Sequence, residues 1–361
     1  MLTPVIFIVG PTGSGKSRLA LMLARKLKAE IISADSMQIY RGMDIGTAKP
    51  TRKEQRIIPH HLLSKITSRS ECSVFKYQNL ALKALQKIIR RRHLPIVVGG
   101  SGLYIKALID GLSPLPGKQV QYRKQLEKMD AAQLHERLKK INLNLASTIH
   151  VNNKKRLIRT LEILETPHPN LPPSATKRGE IRPQSVLGRI APTFAKRHGG
   201  IRRIPPKICG GQGGKESSRS ISSSLMGKDK GGGLFQFGFT PVIFGLNRDR
   251  KELYERIEKR VDQMFSAGWI HEVKRLRKTG LSKTAQYAIG YKEILEYLEG
   301  DRSEEEVKSE IKKRTRHLAK KQMTWFRRDE RIKWYFVAGE KYSSASREIL
   351  KKIRKELVYA S

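Results

Sequence analysis

The chain has 361 residues, enough for a full-sized core built as one large domain with elaborations rather than a single small module. Its formal net charge is +40, from 73 Lys and Arg against 33 Asp and Glu, far more than solubility requires, so a polyanionic partner is expected and nucleic acid fits best. Two cysteines, Cys72 and Cys209, exclude a disulfide framework or a zinc site and suit a reducing compartment, the cytoplasm by default.

The first apolar run, Pro4 to Val9, is short and leads into glycines, so it reads as a buried strand and not a signal peptide. No run approaches the roughly 18 to 20 apolar residues of a membrane span. After that strand comes Gly10-Pro11-Thr12-Gly13-Ser14-Gly15-Lys16-Ser17, which fits G-x-x-x-x-G-K-[ST] in the strand-to-helix setting that a P-loop needs, with Leu19, Leu23 and Leu27 following at helical spacing. In such a loop the glycines turn backbone N–H groups onto phosphate oxygens, the helix N-terminus and Lys16 add positive charge, and Ser17 can hold Mg²⁺.

A second strand, Ile31 to Ser33, ends at Asp35, and a third, Leu94 to Val98, ends at Gly99-Gly100. The helical periodicity of Val74 to Arg92 lies between them. Alternating strand and helix predict an α/β fold, a doubly wound parallel sheet, with ligands outside the carboxyl ends of its strands. There Gly10 to Ser17, Asp35 and Gly99 to Ser101 converge.

Val120 to Thr166 reads as a small α-helical subdomain. Pro167 to Gly238 is rich in Pro, Gly and Ser without a sustained period, and is expected to be a disordered basic insertion. It carries +10 of the charge and leaves +30 to the remainder, so the folded part is basic as well. A strand from Val242 to Leu246 resumes the sheet, followed by long helices at Lys251 to Lys278 and Ser303 to Arg327 and an amphipathic tail at Glu340 to Val358. Ser303 and Glu306 form a capping-box pattern. The expected divisions are a P-loop core over 1–116 and 239–361, a helical subdomain over 117–166, and the insertion over 167–238.

Most P-loop sites bind nucleoside triphosphates such as ATP, move the γ-phosphate and need an acidic metal-binding residue at the end of a buried strand. Here Ile96-Val97-Val98 runs into Gly99-Gly100-Ser101-Gly102 with no carboxylate. Asp35 is the best-placed acid, although on residue type alone it serves equally well as a turn or cap aspartate.

The run Asp35-Ser36-Met37-Gln38-Ile39-Tyr40-Arg41-Gly42-Met43-Asp44-Ile45-Gly46-Thr47-Ala48-Lys49-Pro50 resembles the signature of tRNA dimethylallyltransferases. The likeness continues through Pro59-His60-His61-Leu62, Gly99-Gly100-Ser101-Gly102-Leu103-Tyr104, Ala288-Ile289-Gly290-Tyr291-Lys292-Glu293 and Lys320-Lys321-Gln322-Met323-Thr324-Trp325-Phe326-Arg327, covering nearly all of the chain outside the insertion. That resemblance implies transfer of a dimethylallyl group from dimethylallyl diphosphate to N6 of adenine 37, beside the anticodon of tRNAs reading codons that begin with U, by a cytoplasmic monomer.

The P-loop then holds a departing diphosphate, which accounts for the missing strand-end acid. Asp35 takes the proton of the attacking amine, while Thr12, Lys16, Ser17 and Arg260 hold the diphosphate, with Mg²⁺ bridging it. A positioned carboxylate and a cationic clamp address the two halves of that barrier. The target base has to be flipped out of the anticodon stem-loop.

The resemblance places tRNA contacts at Asp35, Ser36, Met37, Gln38 and Ser101, at Arg123, and at Lys155, Arg156, Leu157, Ile158 and Arg159. Further contacts fall at Tyr287, Ala288, Ile289, Gly290, Tyr291 and Lys292, and at Lys320, Lys321, Gln322, Met323, Thr324, Trp325, Phe326 and Arg327. Interleaved basic and aromatic residues suit single-stranded RNA, though aromatic residues on helices more often pack in the core. Two departures stand out: His150-Val151-Asn152-Asn153 where the family often has Pro and Asp, and an insertion some 55 to 65 residues longer than a typical loop. Two other readings share these motifs: prenyl transfer to a free adenine nucleotide, and an RNA-binding protein inactivated by the insertion.

Overall fold

A computed structural model of the chain describes residues 2–112, 119–165, 232–339 and 342–358. Its chain divides into two compact units, residues 1–112 with 231–361 and residues 113–230. The expected insertion lies outside the described residues as far as 231.

In the larger unit six strands form one parallel sheet in the order β3-β2-β4-β1-β5-β6. They are β1 (Thr3–Val9), β2 (Ala29–Ser33), β3 (His60–His61), β4 (Leu94–Gly99), β5 (Phe239–Asn247) and β6 (Lys333–Phe336). Val5 to Val9 are fully buried, because both faces of a parallel sheet are covered. Val5, Phe7 and Val9 pack into one apolar cluster and Ile6 and Ile8 into the other, the period-two split of a strand between two helical layers. Helix α1 (Lys16–Leu27) backs the second cluster through Leu19 and Leu23; α2 (Arg52–Ile57) starts at a Thr51 capping box. Helices α3 (Val74–Arg90) and α4 (Gly102–Asp110) cover the first.

In the smaller unit α5 (Val120–Lys128), α6 (Ala131–Ile141), α7 (Leu143–Ser147) and α8 (Lys154–Glu165) close around Leu126, Leu134, Leu138, Leu145, Leu157 and Leu161.

The chain is packed again from Gly232, earlier than the expected limit at Gly238. Gln78 Nε2 donates to Gly232 O at 3.0 Å and Leu234 is fully buried in a 3-10 turn, Leu234–Phe237. Leu234 supplies the burial, with Phe237 half-buried against the same cluster, a signal that the flanking glycines mask in the sequence.

After β5 come α9 (Arg250–Ser266), α10 (Trp269–Thr279), α11 (Lys283–Gln286), α12 (Tyr291–Glu299), α13 (Glu304–Phe326) and α14 (Tyr342–Val358). The single helix expected from Lys251 to Lys278 is therefore two. Gly268 takes φ +92°, a left-handed conformation that ends α9 and redirects the chain so that Trp269 is buried at the head of α10. The Ser303 capping box does open α13: Ser303 Oγ accepts from Glu306 N at 3.3 Å, and Glu306 accepts from Ser303 N at 2.8 Å.

Trp269 fixes two distant turns. A Cβ on Gly46 would lie 2.1 Å from Trp269 Nε1, and one on Gly290 would lie 2.0 Å from its ring. Gly268 itself has nothing within 4 Å of the corresponding position. Gly46→Ala is therefore expected to cost about 2 to 3 kcal/mol through overpacking, against about 1 kcal/mol of left-handed strain for Gly268→Ala. Urea midpoints of the two variants check this; equal losses would show that Trp269 gives way.

Candidate active site

Parallel register brings the ends of three strands side by side: Val9 pairs with Gly99, and Val98 with Ser33. The segments that follow them, Gly10 onward, Ala34-Asp35 and Gly100-Ser101, leave the sheet together. The crossing of Gly99 and Ala34 is tight, since a Cβ on Gly99 would lie 2.1 Å from Ala34 O. Gly10, at φ +140°, leaves only 2.5 Å between such an atom and Leu246 O, so the loop follows a path that glycine alone permits.

Gly15 caps α1 at φ +93° and Lys16 begins it, directing the helix's positive end into the loop. Lys16 Nζ donates to Pro11 O at 2.6 Å. Thr12 N donates to Gln322 Oε1 at 2.7 Å, while Gln322 Nε2 donates to Gly100 O at 3.1 Å, so one amide from α13 ties the P-loop to the end of β4. Arginines hold the loop from behind: Arg248 Nε donates to Ser14 O at 3.0 Å and Arg256 Nε to Gly13 O at 3.2 Å. Both also donate to Tyr342 Oη, at 2.7 and 3.3 Å. Arg260 Nη1 reaches Thr12 Oγ1 at 3.4 Å.

Burial and the neighbouring Arg260 charge lower the Lys16 pKa from 10.5 to about 7, against the opposing pull of Asp35. Burial likewise lowers Arg260, with Asp35 opposing and Arg256 adding to the shift. A guanidinium starts so high that it stays charged at neutral pH. The site thus concentrates cations in a desolvated place beside one carboxylate, the electrostatics of an anion site.

Asp35 Oδ1 accepts from Met37 N at 2.8 Å and Gln38 N at 3.3 Å; Oδ2 has no hydrogen-bond partner among the described residues. Ser36 N donates to Ser101 Oγ at 3.0 Å, and Ser101 N to Ala34 O at 3.2 Å. Thr12, Lys16, Asp35, Ser101, Arg260 and Gln322 are thereby joined into one site, with Ser17 exposed at its rim.

The remaining expected positions divide by exposure. Tyr287, Lys320, Lys321, Thr324, Trp325 and Arg327 are exposed, and Trp325 lies over Gly102, where an added Cβ would come within 2.2 Å of its ring. Tyr291 and Phe326 are buried, the Tyr291 hydroxyl donating to Glu272 at 2.7 Å, so their side chains support the structure and do not present a surface. In the smaller unit Leu157 and Ile158 are core residues. Arg123 and Arg159 pair with the buried Glu162 at 2.8 and 2.9 Å. Arg248, Arg256, Glu272 and Tyr342 were not anticipated; only the Arg256-to-Arg260 spacing on one helix face offered a signal.

A P-loop motif opening a parallel α/β sheet, with a cation cluster facing a carboxylate, has the form of an anion site of the P-loop class. The sequence pattern of the IPP transferase family matches residues 38–329. The chain is 36% identical to the tRNA dimethylallyltransferase of Thermoanaerobacter sp. (strain X514), over 97% of this chain and 98% of that protein. It is 38% identical to that of Halothermothrix orenii, over 96% and 92%. A crystal structure of the full-length tRNA isopentenylpyrophosphate transferase from Bacillus halodurans superposes with a TM-score of 0.63 at 32% identity, covering 99% of this chain and 98% of that one. The chain belongs to the IPP transferase family.

Lys16 makes anion binding proton-linked. A bound diphosphate monoester is expected to raise the Lys16 pKa again, so near pH 8, where the ligand is fully ionised, binding should take up about one proton, and the lysine's share should fall toward none near pH 6, where it is already charged. Calorimetry in buffers of different ionisation enthalpy measures this, and Lys16→Gln should abolish the uptake; pH-independent uptake would contradict the lowered pKa.

Proposed function

We propose that the chain transfers a dimethylallyl group from dimethylallyl diphosphate to N6 of an adenine in tRNA, at position 37 beside the anticodon of tRNAs reading codons that begin with U. The observation that carries this reading is the pairing of a P-loop cation cluster with Asp35, whose Oδ1 is pinned by two backbone N–H groups while Oδ2 has no hydrogen-bond partner among the described residues. Such a site suits departure of an anion opposite attack by a neutral amine. The N6–C1 bond forms as the C1–O bond breaks, the electron pair leaves with the diphosphate, and the amine proton passes to Asp35. Lys16, Arg260, Thr12 and the N-terminus of α1 stabilise the leaving charge.

No cluster of three His, Cys, Asp or Glu able to hold a metal occurs among the described residues, and Ser17 Oγ would be the side-chain ligand that the loop offers Mg²⁺. When bound it neutralises diphosphate charge.

The exposed Trp325, close in sequence to the exposed Lys320, Lys321 and Arg327, favours an RNA acceptor over a free nucleotide, since base face and phosphate partners are offered together, and Tyr287 exposes a second aromatic ring. We place the reaction in the cytoplasm and assign it to a monomer. No helix among the described residues is long and apolar enough to cross a membrane.

With Mg²⁺ and labelled dimethylallyl diphosphate, label should enter unmodified tRNA and not AMP. Asp35→Ala should slow transfer by at least about 100-fold and leave tRNA affinity within about twofold. Label in AMP alone would move the assignment to nucleotide prenylation, and label in neither to RNA binding without catalysis.

A further inference from the structure

The loop that carries Asp35 is held from the opposite side by an acid buried beneath it. Glu272, on α10, is 3% exposed. Its carboxylate accepts from Asp44 N at 2.8 Å, Ile45 N at 2.7 Å, Gly46 N at 3.3 Å and the Tyr291 hydroxyl at 2.7 Å. Four donors converge on two oxygens, and three of them are consecutive backbone N–H groups of one turn. Trp269, one helical turn before Glu272, packs directly under Gly46 and Gly290 and fixes the depth of that turn.

From this turn the contacts run straight back to Asp35. The carbonyls of Thr47 and Ala48 accept from Gln38 Nε2 at 3.0 and 3.2 Å, and Gln38 Oε1 accepts from Ser33 Oγ at 2.9 Å. Gln38 is therefore locked between the strand before Asp35 and the turn on Glu272. The backbone N–H groups of Gln38 and Met37 are the ones that pin Asp35 Oδ1. Lys49 holds the far edge of the same turn through Asp44 Oδ1 at 2.7 Å and Ser64 Oγ at 2.9 Å.

We propose that Glu272 is a positioning residue for the transfer reaction: it fixes the Asp44–Gly46 turn, and through Gln38 it sets where the Asp35 carboxylate stands. Tyr291 belongs to the same device, its hydroxyl orienting the Glu272 carboxylate from α12. Glu272 does not reach the reacting atoms and acts on the rate only through Asp35. This rests on the reading of Asp35 as the base. An amide at position 272 offers one acceptor oxygen in place of two and turns an NH₂ toward N–H donors, so Glu272→Gln lets the turn shift without altering side-chain volume. Displacements of about 1 Å at a reacting group cost on the order of 100-fold in rate.

The test is single-turnover prenyl transfer by full-length Glu272→Gln, Tyr291→Phe and Asp35→Asn enzymes and by the Asp35→Asn/Glu272→Gln double variant, with KM for dimethylallyl diphosphate and tRNA affinity measured alongside. Glu272→Gln should lower the rate by about 10- to 100-fold and Tyr291→Phe by a few-fold, with KM and tRNA affinity within about twofold. In the Asp35→Asn background the Glu272→Gln change should have no further effect on the residual rate. Additive losses in the double variant, or losses in KM and tRNA affinity equal to the loss in rate, would overturn the positioning role. If Glu272→Gln does not fold, an unchanged rate in folded Tyr291→Phe would overturn it equally. Full activity in Asp35→Asn would instead remove the base on which the inference rests, a separately visible outcome.

Discussion

Confining several positive charges in one desolvated place sets the terms for everything at the carboxyl end of the sheet. Burial and the nearby Arg260 guanidinium disfavour the charge on Lys16, and burial and Arg256 do the same to Arg260. The fold tolerates this because Arg248 and Arg256 are tied to loop carbonyls and to Tyr342, and Asp35 offsets part of the repulsion. An anion with more than one charge would relieve the rest, which suits the loop to the diphosphate proposed for it. Departure of a diphosphate from carbon needs such a site, and it needs the accompanying base on the far side of the bond that breaks.

Placing that base is a matter of packing rather than charge. Gly99 crosses Ala34 at a distance that excludes any side chain, and Gly46 and Gly290 close on the Trp269 ring in the same way. These contacts leave the Asp35 loop little freedom, and the hydrogen bonds of Gln38 and Glu272 remove more. Gln322 serves the other half of the site, joining Thr12 to Gly100 through one amide. The P-loop end and the Asp35 end of the site are thus built on a common frame.

Much of this was legible in the sequence because some of its causes are local. The P-loop announces itself through glycines at fixed offsets between an apolar strand and a helix, and Asp35 through its place just past a strand end. The Ser303 cap needs only a hydroxyl and a glutamate three residues on. What stayed hidden depends on contacts across long stretches of chain. Thr12 and Gln322 are 310 residues apart, and Asp44 and Glu272 are 228 apart. Helical periodicity runs unbroken past Gly268, and only the burial of Trp269 shows why the helix turns there. Residue type favours core packing for Tyr291, but its partner Glu272 lies on another helix and leaves no local sign. At two and four residues, β3 and β6 are too short to show an alternation.

The central claim is that the P-loop receives an intact diphosphate leaving from carbon and moves no phosphoryl group. Phosphorus NMR of a reaction containing dimethylallyl diphosphate, Mg²⁺ and unmodified tRNA, with and without ATP, tests it most directly. The account expects inorganic pyrophosphate to appear in step with modified adenine, ATP remaining untouched. Orthophosphate as the primary product, or transfer that depends on ATP hydrolysis, would contradict it.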